Sequence, residues 1–198
     1  MQIIEADPAR MIDLPGIGLC PRPVDIDQSV TGFKALKSLR IYRFAAGSVV
    51  HGNSEGDEVF IVPLNGEVTM EIIGAHPLTA ILGQGAARAL YMAPDHSYRL
   101  APKTETLVAY ARAAGNGSIP THISPSGGAE RLIYALTDLD PGLTLPNDQS
   151  KERLVHVVQG KVSLDGIVVI APETVALPSG ENATIRALTS ALVLMITA

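Results

Sequence analysis

A polar cluster of His51, Asn53, Asp57 and Glu58 leads into the apolar run Val59-Phe60-Ile61-Val62 and then an Asn65-Gly66 turn. Imidazole, amide and carboxylate groups at the mouth of a packed strand can build a small-molecule or metal site. Glu58 is the strongest candidate. Strand alternation points it with Phe60 and Val62, expected to be the barrel interior, where a carboxylate needs a partner or takes up a proton. There it would suit general-base work on a carbon acid or a sugar hydroxyl. Its plainer role is a rim carboxylate, paired with Arg99 or Arg43 and facing water. A second cluster, Pro94-Asp95-His96-Ser97-Tyr98-Arg99, adds a histidine, a phenol and a guanidinium. Tyr98 and Arg99 are adjacent and so face opposite ways on a strand. His96 reads equally as a site residue or a loop histidine.

These residues need strands to position them. An apolar, β-branched run closed by Asn-Gly reads as a strand entering a hairpin. From Leu39 onward such runs recur between Gly, Pro and Asn: LRIYRF, EVFIVPL, VTMEII, ARALYMA, YRL and TLVAYARA. That spacing predicts an all-β sandwich or barrel. Residues 1–38 read differently: a strand over MQIIEA, a short helix over DPARMIDL, and irregular chain over PGIGLCPRPVDID, which is rich in breakers.

The chain also resembles itself. Placing Gly66 on Gly160, an offset of 94 residues, brings Glu58 onto Glu152, Asn53 onto Asn147 and Val68 onto Val162. Further on the offset falls to 85, with residues 106–113 over 191–198 and 90–100 over 175–185. The domain reading is therefore an extension over 1–38, a first unit over 39–113, a Gly/Ser/Pro-rich linker over 114–130, and a second unit over 131–198. This alignment makes Tyr98 the cavity residue and leaves Arg99 outside. Glu152 and His156 share a strand face, as a hydrogen-bonded core pair or a relic site. Both faces of VFIVPL are apolar, so one should enter the unit's own core and the other should be covered by the second unit or another subunit.

Bulk composition narrows the function. Hydrophobic residues make up 46% of the 198-residue chain, enough for a packed core of aliphatic side chains. A net charge of −5 without a basic run argues against nucleic acid or an anionic membrane as partner. The single cysteine, Cys20, excludes an internal disulfide and a multi-cysteine zinc site. Without a signal-like start or a membrane-length apolar window, the expectation is a soluble, cytoplasmic protein.

At this point the motifs match a known pattern. Gly47, His51-Gly52-Asn53, Glu58 and Gly66 resemble the first motif of the cupin superfamily, and Pro94 to Arg99 resembles its second. Two such units make the chain similar to a bicupin: two tandem all-β jelly-roll barrels. The run Glu58, Val59, Val62, Leu64, Gly66 is similar to the 5-deoxyglucuronate isomerase branch, which is longer than this chain. Departures are Asn53 at the second histidine of the first motif, one extra residue, Pro63, expected in a bulge, and Tyr98 where the last metal-binding histidine stands. In the second unit the ligand positions read Leu145, Asn147, Glu152 and Ala183, which cannot hold a cupin metal.

The resemblance implies a small polar substrate, a sugar or small carboxylate. In the first barrel His51, Glu58 and His96 would hold a divalent Zn, Fe, Mn or Ni ion. Glu58 or Tyr98 would move a proton, with Asn53, Arg99 and Phe60 as substrate contacts, in isomerase, epimerase or lyase chemistry. The alternatives are a metal-free binding module and a structural bicupin without activity. A homodimer through an outer apolar strand face is expected.

Overall fold

The computed structural model describes all residues except 75–76, 84–87, 116–118, 125–126, 129–130 and 147. His76 and Asn147 therefore lie outside the described residues.

The N-terminal segment is more ordered than its breakers suggest. It forms β1 (Gln2–Ile4), β2 (Met11–Leu14), β3 (Gly18–Pro21), β4 (Val24–Asp27) and the one-turn α1 (Gln28–Thr31). The helix expected around Asp7–Leu14 is replaced by a turn and a strand. Asp7 accepts from the Ala9 amide, and β2 pairs with β3. Alternation explains the choice: Ile12 and Leu14 on one face pack against the first unit's core together with Cys20. Asp27 caps α1 by accepting from the Ser29 amide, and Gly32 ends the helix in the left-handed conformation.

The next strands are β5 (Leu36–Phe44), β6 (Val50–Asn53), β7 (Asp57–Pro63), β8 (Val68–Ile73), β9 (Leu78–Leu82), β10 (Ala89–Met92), β11 (Ser97–Pro102) and β12 (Thr106–Ala114). After them come β13 (His122–Ser124), β14 (Gly127–Gly128), β15 (Ile133–Leu139), β16 (Arg153–Gln159), β17 (Lys161–Leu164), β18 (Ile167–Ile170), β19 (Thr174–Leu177), β20 (Ile185–Ala187) and β21 (Ala191–Thr197). The stretch expected as a linker thus lends an edge strand to each half, β13 beside β10 and β14 beside β15.

The protein is all-β and layered. In the first half the sheet β13-β10-β7-β12-β5-β4 packs against β6-β11-β8-β9. In the second half β1-β19-β16-β21-β15-β14 packs against β18-β17-β20. The two six-stranded sheets share a third core that includes Phe60, Val62, Tyr134, Leu154 and Ile196. The strands form open sheets; among the described residues none closes into the expected barrel. The first strand lies in the second half's sheet and β4 in the first half's, so the N-terminal segment ties the halves together.

The internal alignment agrees with the strand pairing. Glu58 lies opposite Ala113, and its counterpart Glu152 exchanges both backbone hydrogen bonds with Ala198. Val62 lies opposite Ala109, and His156 opposite Leu194. Pro63 makes no bulge: it sits in register opposite Val108, beyond the last β10 pair at Ile61, where no neighbour needs its missing N–H. The register shift falls instead in the second half, between Val157 and Gln159.

Strand β7 is buried on both faces along its whole length. Val59 and Ile61 enter the first half's own core, while Phe60 and Val62 enter the core shared with the second half. The expected parity is therefore reversed, and the second face is covered within the chain.

Candidate functional site

Alternation on two neighbouring strands builds one wall of a cavity of about 190 Å³ in the first half. On β5, Arg40 and Tyr42 face it while Leu39 and Ile41 face the shared core; on β12, Tyr110 and Arg112 face it while Ala109 and Ala111 turn away. Tyr98 on β11 lies across its cross-strand neighbour Gly52, and a Cβ at Gly52 would stand 2.5 Å from the Tyr98 hydroxyl. Glycine at that position is what admits the ring.

The aromatic side chains form a continuous group. Tyr42 stacks on Phe44 at 5.5 Å, meets Tyr110 edge-on at 5.4 Å, and Tyr110 lies 6.0 Å from Tyr98. Burial pushes the Tyr98 phenol up to about 12 and holds Tyr110 well above its ordinary value. Both are neutral hydroxyls near pH 7. The two hydroxyls interact, with Tyr110 donating toward Tyr98, and among the described residues Tyr110 Oη has no other partner. A buried hydroxyl pair with hydrogen-bonding capacity to spare favours a water or ligand oxygen beside it.

Guanidinium groups flank the phenols. Arg112 donates to the Asn53 carbonyl at 2.6 Å and lies 3.7 Å from Asp57 and 3.8 Å from Glu55. Arg40 pairs with Asp25 at 3.2 Å, but that carboxylate also serves Arg22 at 2.6 Å and Arg10 at 3.2 Å. Arg10 also meets Asp7 at 3.9 Å, so two carboxylates serve these three guanidiniums. Arg22 additionally lies over the Tyr42 ring and donates to its hydroxyl at 3.4 Å.

The expected site residues scatter. Asn53 is at the rim with its carbonyl held by Arg112. His51 is exposed at the rim, paired across the strands with Arg99. Arg99 points outward to Glu71 at 3.6 Å. His96 precedes β11 in a turn, its Nδ1 2.8 Å from the Pro94 carbonyl, so it does not share a strand face with Tyr98. Phe60 sits between Tyr91 and Tyr134, at 5.5 and 4.7 Å, in the shared core. Glu58, only 1% exposed, faces the same core and accepts from the Leu132 and Arg131 amides at 3.2 and 3.4 Å. Glu58, expected as a catalytic and metal-binding residue, is thus turned from this cavity and engaged elsewhere.

A cupin-type metal does not fit the side chains present. Among the described residues no carboxylate lines the cavity, the second-motif position holds a neutral tyrosine, and His51, Glu58 and His96 do not converge. Among the described residues no three His, Cys, Asp or Glu side chains group to hold a metal ion. In the second half Leu145 and Ala183 are buried in an apolar core. Glu152 and His156 share a face but do not pair: Glu152 accepts from the Lys34, Ala35 and Leu36 amides, and His156 Nδ1 lies 2.9 Å from Thr174 Oγ1. Sequence reasoning missed Arg40, Tyr42, Tyr110 and Arg112. Their signal was present, since Arg and Tyr alternate with aliphatic residues in LRIYRF and TLVAYARA.

Compared with known protein families, residues 22–134, more than half of the chain, match the KduI/IolB family. The chain belongs to the KduI/IolB family. That family has the cupin fold and includes 5-deoxyglucuronate isomerase. Among solved structures, this KduI/IolB member is similar to an IolB-like protein of Salmonella typhimurium, at TM-score 0.67 and 14% identity over 89% of this chain and 88% of that one. Pirin YhhW of Escherichia coli, solved in complex with nickel(II), gives TM-score 0.69 and 14% identity over 99% and 98%. A variant of Bacillus subtilis oxalate decarboxylase gives TM-score 0.71 and 8% identity over 98% and 76%. These likenesses establish the fold alone. No curated protein matches the sequence. No helix among the described residues is long and apolar enough to cross a membrane.

Proposed function

We propose that this KduI/IolB member is a bicupin whose first unit binds a small hydroxyl-bearing carboxylate, such as a sugar acid, for isomerase chemistry. The observation that carries the reading is the pair Arg40 and Arg112, each held by carboxylates outside the lining, on a cavity with three phenols and, among the described residues, no carboxylate side chain in its wall. Guanidinium groups hold carboxylates through paired N–H donors, and phenols hydrogen-bond hydroxyl and carbonyl oxygens. The volume of about 190 Å³ corresponds to about six waters at ~30 Å³ each and suits a small ligand.

A second reading, binding without catalysis, is favoured by the position of Glu58. With that carboxylate turned to the shared core, the described cavity lining offers no acidic side chain as general base. The nickel of the pirin neighbour suggests a divalent ion by analogy, but the lining described above gives it no support.

Thermal shift with D-gluconate, D-glucuronate and neutral D-glucose tests the binding reading. A rise in melting temperature with both anions but not glucose, reduced in Arg112→Ala, supports it; no response to either anion overturns it. NMR of D-glucuronate incubated with the protein separates the two readings, because a ketose product requires catalysis.

A further inference from the structure

We propose that the Tyr98–Tyr110 hydroxyl pair holds an acceptor oxygen of the ligand, a carbonyl, enolate or carboxylate, at the place where the cupin pattern would put a metal. The inference rests on the first-half cavity being a small-molecule site and specifies which atoms recognise the ligand.

Three observations converge on it. By its sequence resemblance Tyr98 stands where the second cupin motif carries a metal-binding imidazole, and in the structure it lies over Gly52, between the two histidine positions of the first motif. Tyr110 is 92% buried on the cavity wall, and beyond its interaction with Tyr98 its hydroxyl has no partner among the described residues. A group so enclosed favours a ligand or water oxygen that completes its hydrogen bonding. Finally, the side chains around the pair are dominated by donors: Arg40, Arg112 and the Tyr42 hydroxyl. Such a lining recognises an acceptor and rejects a cation, because neutral phenols and guanidinium groups offer no anionic ligand atom.

The geometry is also preorganised. Tyr98 sits in a strand hydrogen-bonded on both sides, by β6 and β8, and Tyr110 in one flanked by β5 and β7. Donors fixed on a rigid sheet need little reorganisation when negative charge develops on a bound oxygen.

Glycolohydroxamate is the discriminating probe: it mimics a planar enediolate and is also a strong metal chelator. Its binding is measured by calorimetry on wild type, Tyr98→Phe and Tyr110→Phe, with and without EDTA, beside gluconate thermal shifts. Phenylalanine keeps the ring packing, and near-ultraviolet circular dichroism checks that each variant folds. The expected result is binding unchanged by EDTA and weakened about tenfold in each Phe variant. Binding abolished by EDTA and restored by zinc overturns the inference. So does unaltered affinity in both variants, or gluconate binding without hydroxamate binding. If neither probe binds, the cavity reading itself fails.

Discussion

Glu58 and Glu152 hold matching strand positions in the two halves of the chain, opposite Ala113 and Ala198, and each clasps the opposite half. Glu58 accepts from the Arg131 and Leu132 amides just before β15, while Glu152 accepts from the Lys34, Ala35 and Leu36 amides just before β5. Each carboxylate thus caps the start of a long sheet strand in the other half. The acid that looked most like a catalyst is half of a reciprocal latch.

Removing one side of the latch should cost stability and leave the cavity intact. Glu58→Ala strands the buried Leu132 amide and the partly buried Arg131 amide and leaves a space in the shared core, for an expected loss of about 2–3 kcal/mol. The melting temperature should fall by roughly 4–12 °C for a chain of this length. Glu152→Ala should act in the same direction. Differential scanning calorimetry measures both, and a stable Glu58→Ala protein that has lost only ligand binding would contradict the latch.

Acid should weaken the same interface through His156. This side chain is 3% exposed, and burial pushes its pKa down to about 4 from an ordinary value near 6.5. The unfolded chain takes up the proton first, so the neutral imidazole's contribution is complete above pH 6.5 and is lost as pH falls toward 4. The loss amounts to roughly 3 kcal/mol. Urea unfolding between pH 4 and 8 should show a shallower slope for His156→Gln than for wild type.

Alkali should act on Tyr98 in the opposite direction. Its phenol, raised to about 12 by burial, keeps its proton after an unfolded tyrosine has lost one. Stability is complete below pH 10 and falls between 10 and 12, by roughly 2–3 kcal/mol. Ultraviolet titration at 4 °C should show fewer phenolates at pH 11 than the same protein in urea. Tyr98→Phe should shrink that difference.

Space above Gly52 makes a steric prediction. Gly52→Ala places a methyl group 2.5 Å from the Tyr98 hydroxyl, so the ring must leave its seat. The cost should be about 1–3 kcal/mol. The near-ultraviolet tyrosine signal should change, and any ligand held by the Tyr98 hydroxyl should be lost. A crystal structure of the variant with Tyr98 unmoved would refute this.

Much of the architecture was legible in the sequence because it rests on local rules. Short apolar runs between Gly, Pro and Asn specified an all-β chain, and the offsets of 94 and 85 residues placed Glu58 on Glu152 and residues 106–113 on 191–198, as the strand pairing also does. Even the missed wall of the cavity was written as Arg and Tyr two residues apart on β5 and β12. What tertiary structure alone decided was the direction in which a doubly buried strand faces. In Val59-Phe60-Ile61-Val62 every residue is apolar, so no polar face marks solvent, and a one-residue change of parity exchanges the cavity side for the shared core. That exchange sent Glu58 to the Leu132 amide and left the cavity to Tyr98, Tyr110 and Arg112. A partner amide seventy-four positions along the chain carries no sequence signature. Only the packing of one sheet on the other could supply it.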